Sequence, residues 1–388
     1  PQWNRKRERA RRFAVKHMKR LLHRQLGEFG VHTETSPDYH FFALAKIEDV
    51  LAAPWWQGPE MEDARTFTDQ ARVAQHWLVT PSLHCPPVGD SSEAKKLKAN
   101  DRLREWPHEE RRKALGARLD GYGVVRSVPE CTQEESHYLF FQASFHSAGH
   151  KHADCLSFIW QEAGEYLLWD AGKYGSQTDS IRDYFVSTRA HNCLEVDGED
   201  YSRRRRHAYG SALQHVGACD DGWLLAGAVN HKTLGLRHQR ILFYRPGVGV
   251  DVLDLVTNRK WAARTYRLWW QLGAEASVSC DTSDVRVNTN GRSLVGRFES
   301  TLGPVNLEHY VGAEQPRRVG WLSRNYLQYE PAHAISAGAS GHGRYQAFVS
   351  SWRKAGRDDL CSAFKVSEHL VEVASPALSK ALTSIVDR

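Results

Sequence analysis

Apolar residues recur at helical spacing near the start of the chain. Phe13, Met18, Leu21, Leu22 and Leu26 share a period of about 3.6, and Gly27 is a stop signal, so a helix is predicted over residues 7–27. Its other face is dense in Arg and Lys from Arg5 through Arg24. Helical text continues over residues 41–51 and 64–78. Pro81, Pro86 and Pro87 then break it. Gly89-Asp90-Ser91 and a polar stretch over residues 92–104 follow, with a last helix expected at about 107–117.

Beyond Gly121 the period changes from 3.6 to 2. Segments 137–145, 156–161 and 166–170 are aromatic, β-branched or alternating, and Ala163-Gly164 turns between the last two. Asp197-Gly198 punctuates 194–201, and Pro246-Gly247 separates 240–244 from 248–256. Asn290-Gly291, between Val287 and Leu294, is the strongest hairpin signal because both residues tolerate the positive φ of a two-residue turn. Further strands are expected at 264–271, 345–352, 362–366 and 370–373. Many strands at short spacing imply a large antiparallel β-sandwich behind a helical region. The expected class is therefore α+β multidomain, with a helical domain plus linker at residues 1–118 and a sandwich at 119–388.

Composition changes this picture little. A chain of 388 residues with 41% hydrophobic and 25% charged residues can bury a core without staples. The net charge of +6 favours an anionic partner. The basic helical face could meet phosphates or anionic lipid, but a solvated outer face is the default, and no nucleic-acid or membrane partner is expected. Seven scattered cysteines without a CxxC pair indicate neither a zinc ribbon nor a disulfide framework. No apolar run approaches the length of a membrane span. The sequence begins Pro1-Gln2-Trp3 without an initiator Met or a signal peptide, so processing or truncation is expected to have removed what came before.

The richest chemistry lies between His150 and Asn192. His150 and His152 would point to one side of a strand, so one pocket could use both. Imidazoles and Asp are suitable zinc ligands, and imidazole is the general acid–base whose ordinary pKa is nearest neutrality. Upstream, Glu34-Thr35-Ser36-Pro37-Asp38-Tyr39-His40 reads as a turn followed by an aromatic residue.

Taken in order, three segments resemble the core signature of the heparinase II/III-like polysaccharide lyases. They are His150-Lys151-His152-Ala153-Asp154 with Leu156-Ser157-Phe158, then Leu167-Leu168-Trp169-Asp170-Ala171-Gly172, then Tyr184-Phe185-Val186-Ser187-Thr188-Arg189-Ala190-His191-Asn192 with Val196-Asp197-Gly198. The Glu34–His40 stretch and Gly89-Asp90-Ser91 are similar to upstream family segments, and His238-Gln239-Arg240 and Gly320-Trp321 to weaker markers in the sandwich.

The resemblance implies the C-terminal part of an (α/α) toroid followed by a large antiparallel β-sandwich. It implies β-elimination at uronate linkages of an acidic polysaccharide: a heparin- or heparan sulfate-like glycosaminoglycan, or alginate or a bacterial exopolysaccharide. By resemblance Tyr39 is the acid, and also the base for one uronate epimer, while His150 is the base for the other. A Tyr acting as base needs a cation to lower its pKa, for which Arg189 and residues 203–206 are candidates. His40, Arg189 and Asn192 are the expected substrate-binding residues. Some relatives hold a structural divalent ion, zinc, and their ligands map onto His152, Asp170 and His191, with Asp154 as the competing carboxylate. No organic cofactor is expected. A periplasmic or secreted location is implied by resemblance alone. Relatives neutralise the uronate carboxylate with a residue well upstream of the Tyr; only 38 residues precede Tyr39 here, and none is a convincing counterpart. A non-catalytic protein that binds acidic carbohydrate is the competing expectation.

Overall fold

The computed structural model describes residues 2–56, 58–94, 114–127, 132–282, 284–357, 362–367 and 369–386. Three helices come first: α1 (Gln2–Gln25), α2 (Pro37–Leu51) and α3 (Glu62–Trp77). Leu22 of α1 and Leu26 just beyond it, Leu44 and Ile47 of α2, and Ala64 and Ala71 of α3 make a core of their own. The apolar series predicted for α1 divides, because Phe13 and Leu21 are exposed while Leu22 and Leu26 are buried. The helix thus packs through its C-terminal half, and the Arg-rich N-terminal half faces outward. No helix among the described residues is long and apolar enough to cross a membrane.

The described residues between Ala114 and Val373 lie mainly in antiparallel strands. The first sheet runs 114–118, 122–127, 137–142, 157–162, 165–168 in spatial order. It is buried on both faces. Val124, Tyr138, Phe140 and Ile159 pack on Ala74 and Trp77 of α3. The alternate residues Val125, Leu139, Phe141 and Phe158 enter the main core, where they meet Leu225, Leu242, Leu268 and Trp270. This double burial explains why these strands read as continuous apolar runs rather than as clean alternation. The second sheet has eight strands, ordered 277–280, 284–289, 292–300, 345–354, 249–258, 236–245, 222–231, 213–219. The third has four: 306–311, 333–341, 264–271 and 194–196.

Two predicted features need correction. Residues 107–113 of the expected last helix lie outside the described residues, and 114–117 belong to the strand Ala114–Arg118, paired with Tyr122–Ser127. Ala and Leu favour a helix locally, but here pairing overrides propensity. Asp120-Gly121 closes the hairpin, with Gly121 at φ +93°. The sheet therefore begins before the boundary drawn at residue 118. Among the described residues the helical part before the sheets is α1–α3 and two short 3-10 turns, too few to close a toroid. Of the strands in the third sheet, the one expected over 264–271 is found with those bounds, while the segment expected at 194–201 is a strand only over Leu194–Val196. Two further helices, α4 (Ser180–Phe185) and α5 (Pro376–Val386), were not foreseen. Through Leu378, Leu382 and Ile385, α5 covers Leu224, Ile241 and Phe243 on the outer face of the second sheet.

Candidate active site

Three segments far apart in sequence meet where α2 starts. Ser36 is its N-cap, with Pro37 in the first turn and the Ser36 side chain accepting from the Tyr39 N–H. Ser36 Oγ also lies 2.9 Å from Ser91 Oγ, and the Asp38 N–H donates to Ser91 Oγ at 3.1 Å. Gly89 sits at φ +57°, where a Cβ would come within 2.7 Å of the Thr35 carbonyl oxygen, so the approach needs glycine. The turn of 89–91 is thereby fixed against the N-terminus of α2, with the Asp90 side chain facing the loop that carries His150.

Asp90 is the hub. His150 Nδ1 donates to its Oδ2 at 3.0 Å, and His152 Nε2 to its Oδ1 at 2.7 Å. Arg182 of α4 donates to Oδ1 as well, and to the Lys173 carbonyl. Burial alone would raise the Asp90 pKa; the two imidazole bonds and the Arg182 charge outweigh it and hold the carboxyl far below its ordinary range. His150 lies in a loop at φ +58°, not in a strand. Even so, His150 and His152 converge on one partner, because both reach Asp90. On its other side His150 Nε2 is 3.3 Å from Glu34 Oε2.

The Tyr39 ring stacks on the His150 ring, with centroids 3.4 Å apart and planes inclined by 17°. Burial, followed by the charges of Asp90, Asp38 and Glu34, raises the Tyr39 pKa against the opposing effect of Arg182. Two surface clefts adjoin the pair. One, of about 360 Å³, is lined by Leu21, Glu34, Tyr39 and Phe42, and the other, of about 710 Å³, by Arg24, Glu34, His146, Gly149 and Arg205. Glu34 belongs to both.

Residues 111–354 match the model of the heparinase II/III-like C-terminal domain. The chain belongs to the heparinase II/III-like family. A comparison with curated proteins gives no match. Among solved structures, heparan sulfate lyase HepC from Pedobacter heparinus superposes with a TM-score of 0.74 at 16% identity, covering 89% of this chain and 56% of that one. A structure of heparinase III gives 0.74 at 16% identity, covering 94% and 61%, and a heparinase III gene product with methylated lysines gives 0.74 at 14%, covering 90% and 55%. These likenesses show the fold. The chain spans between 55% and 61% of the length of these relatives.

Within this heparinase II/III-like fold, the residues expected to bind substrate are placed elsewhere. His40 is fully buried; its Nδ1 accepts from the His32 N–H, and its Nε2 donates to the Ala71 carbonyl at 3.1 Å. It joins α2 to α3. Asn192 is also buried, donating to the carbonyls of Phe158 and Trp169 and accepting from the Gln271 N–H, each at 2.7 Å. It pins the end of the signature to the sheets. Arg189 donates to the Arg318 carbonyl and lies over the Tyr184 ring. The cations beside Tyr39 are instead Arg182 and Lys173. Of residues 203–206, Arg205 reaches one of the clefts and the run is exposed.

The expected metal ligands are adjacent but not convergent. His191 Nδ1 donates to Asp170 Oδ2 at 2.7 Å, and the Gly172 N–H donates to Asp170 Oδ1. The His152 and His191 ring centroids are 5.3 Å apart, and His152 Nδ1 and His191 Nε2 are buried without partners. Among the described residues no group of three or more His, Cys, Asp or Glu is arranged to hold a metal ion. Two open imidazole nitrogens fit two ligands, and Asp170 has the place of a carboxylate that orients a ligating His. Asp154 is bound to Lys151 and accepts from Gln142, so it is not open to a metal.

Sequence reading missed Asp90, Arg182 and Glu34 as site residues. Gly89-Asp90-Ser91 was singled out only as a segment, and nothing local shows that its carboxylate meets a histidine 60 positions away.

Proposed function

We propose that the protein is a polysaccharide lyase acting on uronate-containing acidic polysaccharides by β-elimination. The stack of Tyr39 on an Asp90-bound His150 is the observation that carries this reading. Elimination needs a base for the C5 proton and an acid for the departing O4, close together on one sugar linkage. Asp90 holds the proton on His150 Nδ1, which leaves Nε2 as the atom able to take the C5 proton. Glu34 lies against Nε2, so an entering sugar must displace its partly exposed side chain. As the C5–H bond breaks, its electron pair forms the C4–C5 double bond and the C4–O4 bond is released. Tyr39 donates its proton to O4. Burial and three carboxylates keep that phenol protonated at neutral pH, which supports the acid role and argues against Tyr39 as the base.

Heparan sulfate or a related glycosaminoglycan is the first substrate class to try, and alginate or a bacterial exopolysaccharide the second, because the chemistry is common to them. The test is ultraviolet absorbance of the unsaturated uronate on incubation with a panel of these polymers. Product that disappears in Tyr39→Phe is the expected result. No product from any polymer, or binding without turnover that Tyr39→Phe leaves unchanged, would sink the lyase reading in favour of a carbohydrate-binding protein.

His152 and His191 would hold a structural divalent ion, such as zinc, with Asp170 behind His191. Such an ion would tie the His150 loop to the loop that carries His191.

A further inference from the structure

We propose that Lys173 is the group that neutralises the uronate carboxylate; this rests on the lyase reading. Removal of the C5 proton drives negative charge onto the sugar carboxylate, and a fixed positive charge at that place stabilises it. The surroundings of Tyr39 are otherwise acidic, since Glu34, Asp38 and Asp90 all act on its phenol. A polyanion would be repelled there without a cation aimed at it.

Two cations are near. Arg182 is already bound to Asp90 and to the Lys173 carbonyl, with its side chain 13% exposed. Lys173 is different. Its Nζ lies 5.9 Å from the centroid of the Tyr39 ring and 5.9 Å from that of Tyr326. It forms no ion pair among the described residues, whereas Arg182 is paired with Asp90.

The backbone fixes this position. Gly172 is at φ +83°, where a Cβ would collide with the Ser323 carbonyl oxygen. Tyr174 is at φ +60°, and its carbonyl accepts from the Leu327 N–H at 2.7 Å. The turn carrying Lys173 is thus clamped to the segment carrying Tyr326. That ring is 56% exposed and offers a flat face to a sugar whose carboxylate reaches the ammonium.

The experiment uses the full chain, Lys173→Met and Lys173→Arg. Calorimetry measures binding of unsulfated heparan-type and alginate oligosaccharides and of their carboxyl-reduced counterparts, and turnover is followed on the parent polymers. The expected result is a wild-type preference for the carboxylate form of at least about tenfold. That preference is lost in Lys173→Met and kept in Lys173→Arg, and kcat of Lys173→Met falls by about 10²–10³ at unchanged Tm. A wild type without preference, or a Met variant that keeps either the preference or the turnover, overturns the assignment. The two readings part cleanly. Turnover unchanged in Lys173→Met sinks Lys173 and leaves the lyase, whereas a preference lost in Lys173→Met with no polymer cleaved sinks the lyase and leaves Lys173 as the carboxylate's partner.

Discussion

Two carboxylates in this protein collect the same kinds of partner. Asp90 receives His150, His152 and Arg182; Asp254 receives His238 Nε2 at 2.6 Å and the Arg240 guanidinium at 2.7 and 3.0 Å. Around Asp254 every polar group is closed off. His238 is fully buried, and its Nδ1 meets the Tyr201 hydroxyl at 2.7 Å. Arg240 also donates to the Leu156 and Asn192 carbonyls, which fastens both ends of the signature loops. Around Asp90, by contrast, the His150 side chain is 26% exposed, one ring nitrogen faces a displaceable Glu34, and a phenol lies on its face. The chemistry available to a His–Asp–Arg cluster is therefore decided by what its outward nitrogen meets. Asp254 makes a clamp, and Asp90 supports the imidazole that we propose as the base.

The sharpest way to break this comparison is to remove one member from each cluster. His150→Ala should lower turnover by about 10²–10⁴-fold, the range for a general base, at unchanged Tm. Arg240→Met should do the reverse of this at first order. It leaves the Asp254 carboxylate buried beside His238 alone, so unfolding free energy should fall by about 3–5 kcal/mol, with activity lost only in proportion to the unfolded fraction. Urea titration and initial rates on the same samples separate the two. A His150→Ala variant that unfolds, or an Arg240→Met variant of wild-type stability, would contradict the contrast.

The sequence reveals such clusters unevenly, for physical reasons. Asn290-Gly291 is legible because the turn demands positive φ at both positions, and they have 48° and 75°. The strand over 264–271 is legible because its apolar run fits a strand buried between neighbours. The strand Ala114–Arg118 is not, because its helix-forming residues are held by pairing with 122–127. In the site, the signature marks constrained positions without telling which constraint acts. His40, Asn192 and His150 all stand in the quoted segments, yet the first two are buried and fixed by main-chain bonds, while the third is partly exposed and stacked on Tyr39. Asp90, Arg182 and Lys173 come together only through the fold.

His40 extends the comparison to a histidine that is occupied like His238 but outside either cluster. Burial lowers its pKa to about 4, with His32 adding to the effect and the bond to Ala71 opposing it. An unfolded His titrates near ~6.5. The folded protein therefore binds fewer protons in this window, and the His40 contribution is complete above about 6.5 and is lost as the pH falls toward about 4. The contribution is on the order of 3 kcal/mol. Wild-type stability should fall across this window, and His40→Gln, which keeps a donor toward Ala71, should reduce the slope by about 1.4 kcal/mol per pH unit. Urea midpoints at a series of pH values give the slope; an unchanged slope would mean that His40 is not held neutral.

His152 falls between the two kinds of histidine, since one nitrogen is bound to Asp90 and the other is buried without a partner. An open buried nitrogen is costly unless something meets it, and His191 Nε2 faces the same cost. A divalent ion shared by the two would relieve both, and because it binds only the folded state it would add stability by mass action, about 2.7 kcal/mol at a hundredfold excess over Kd. Incubation with a chelator should then lower Tm by a few degrees, and His152→Ala should lower it to the same point and abolish the chelator effect. Elemental analysis of protein purified without chelator should find close to one equivalent of metal. A Tm indifferent to chelator, together with metal-free protein, would reject the ion and leave His152 as a second clamp on Asp90, closer in kind to His238 than to its neighbour His150.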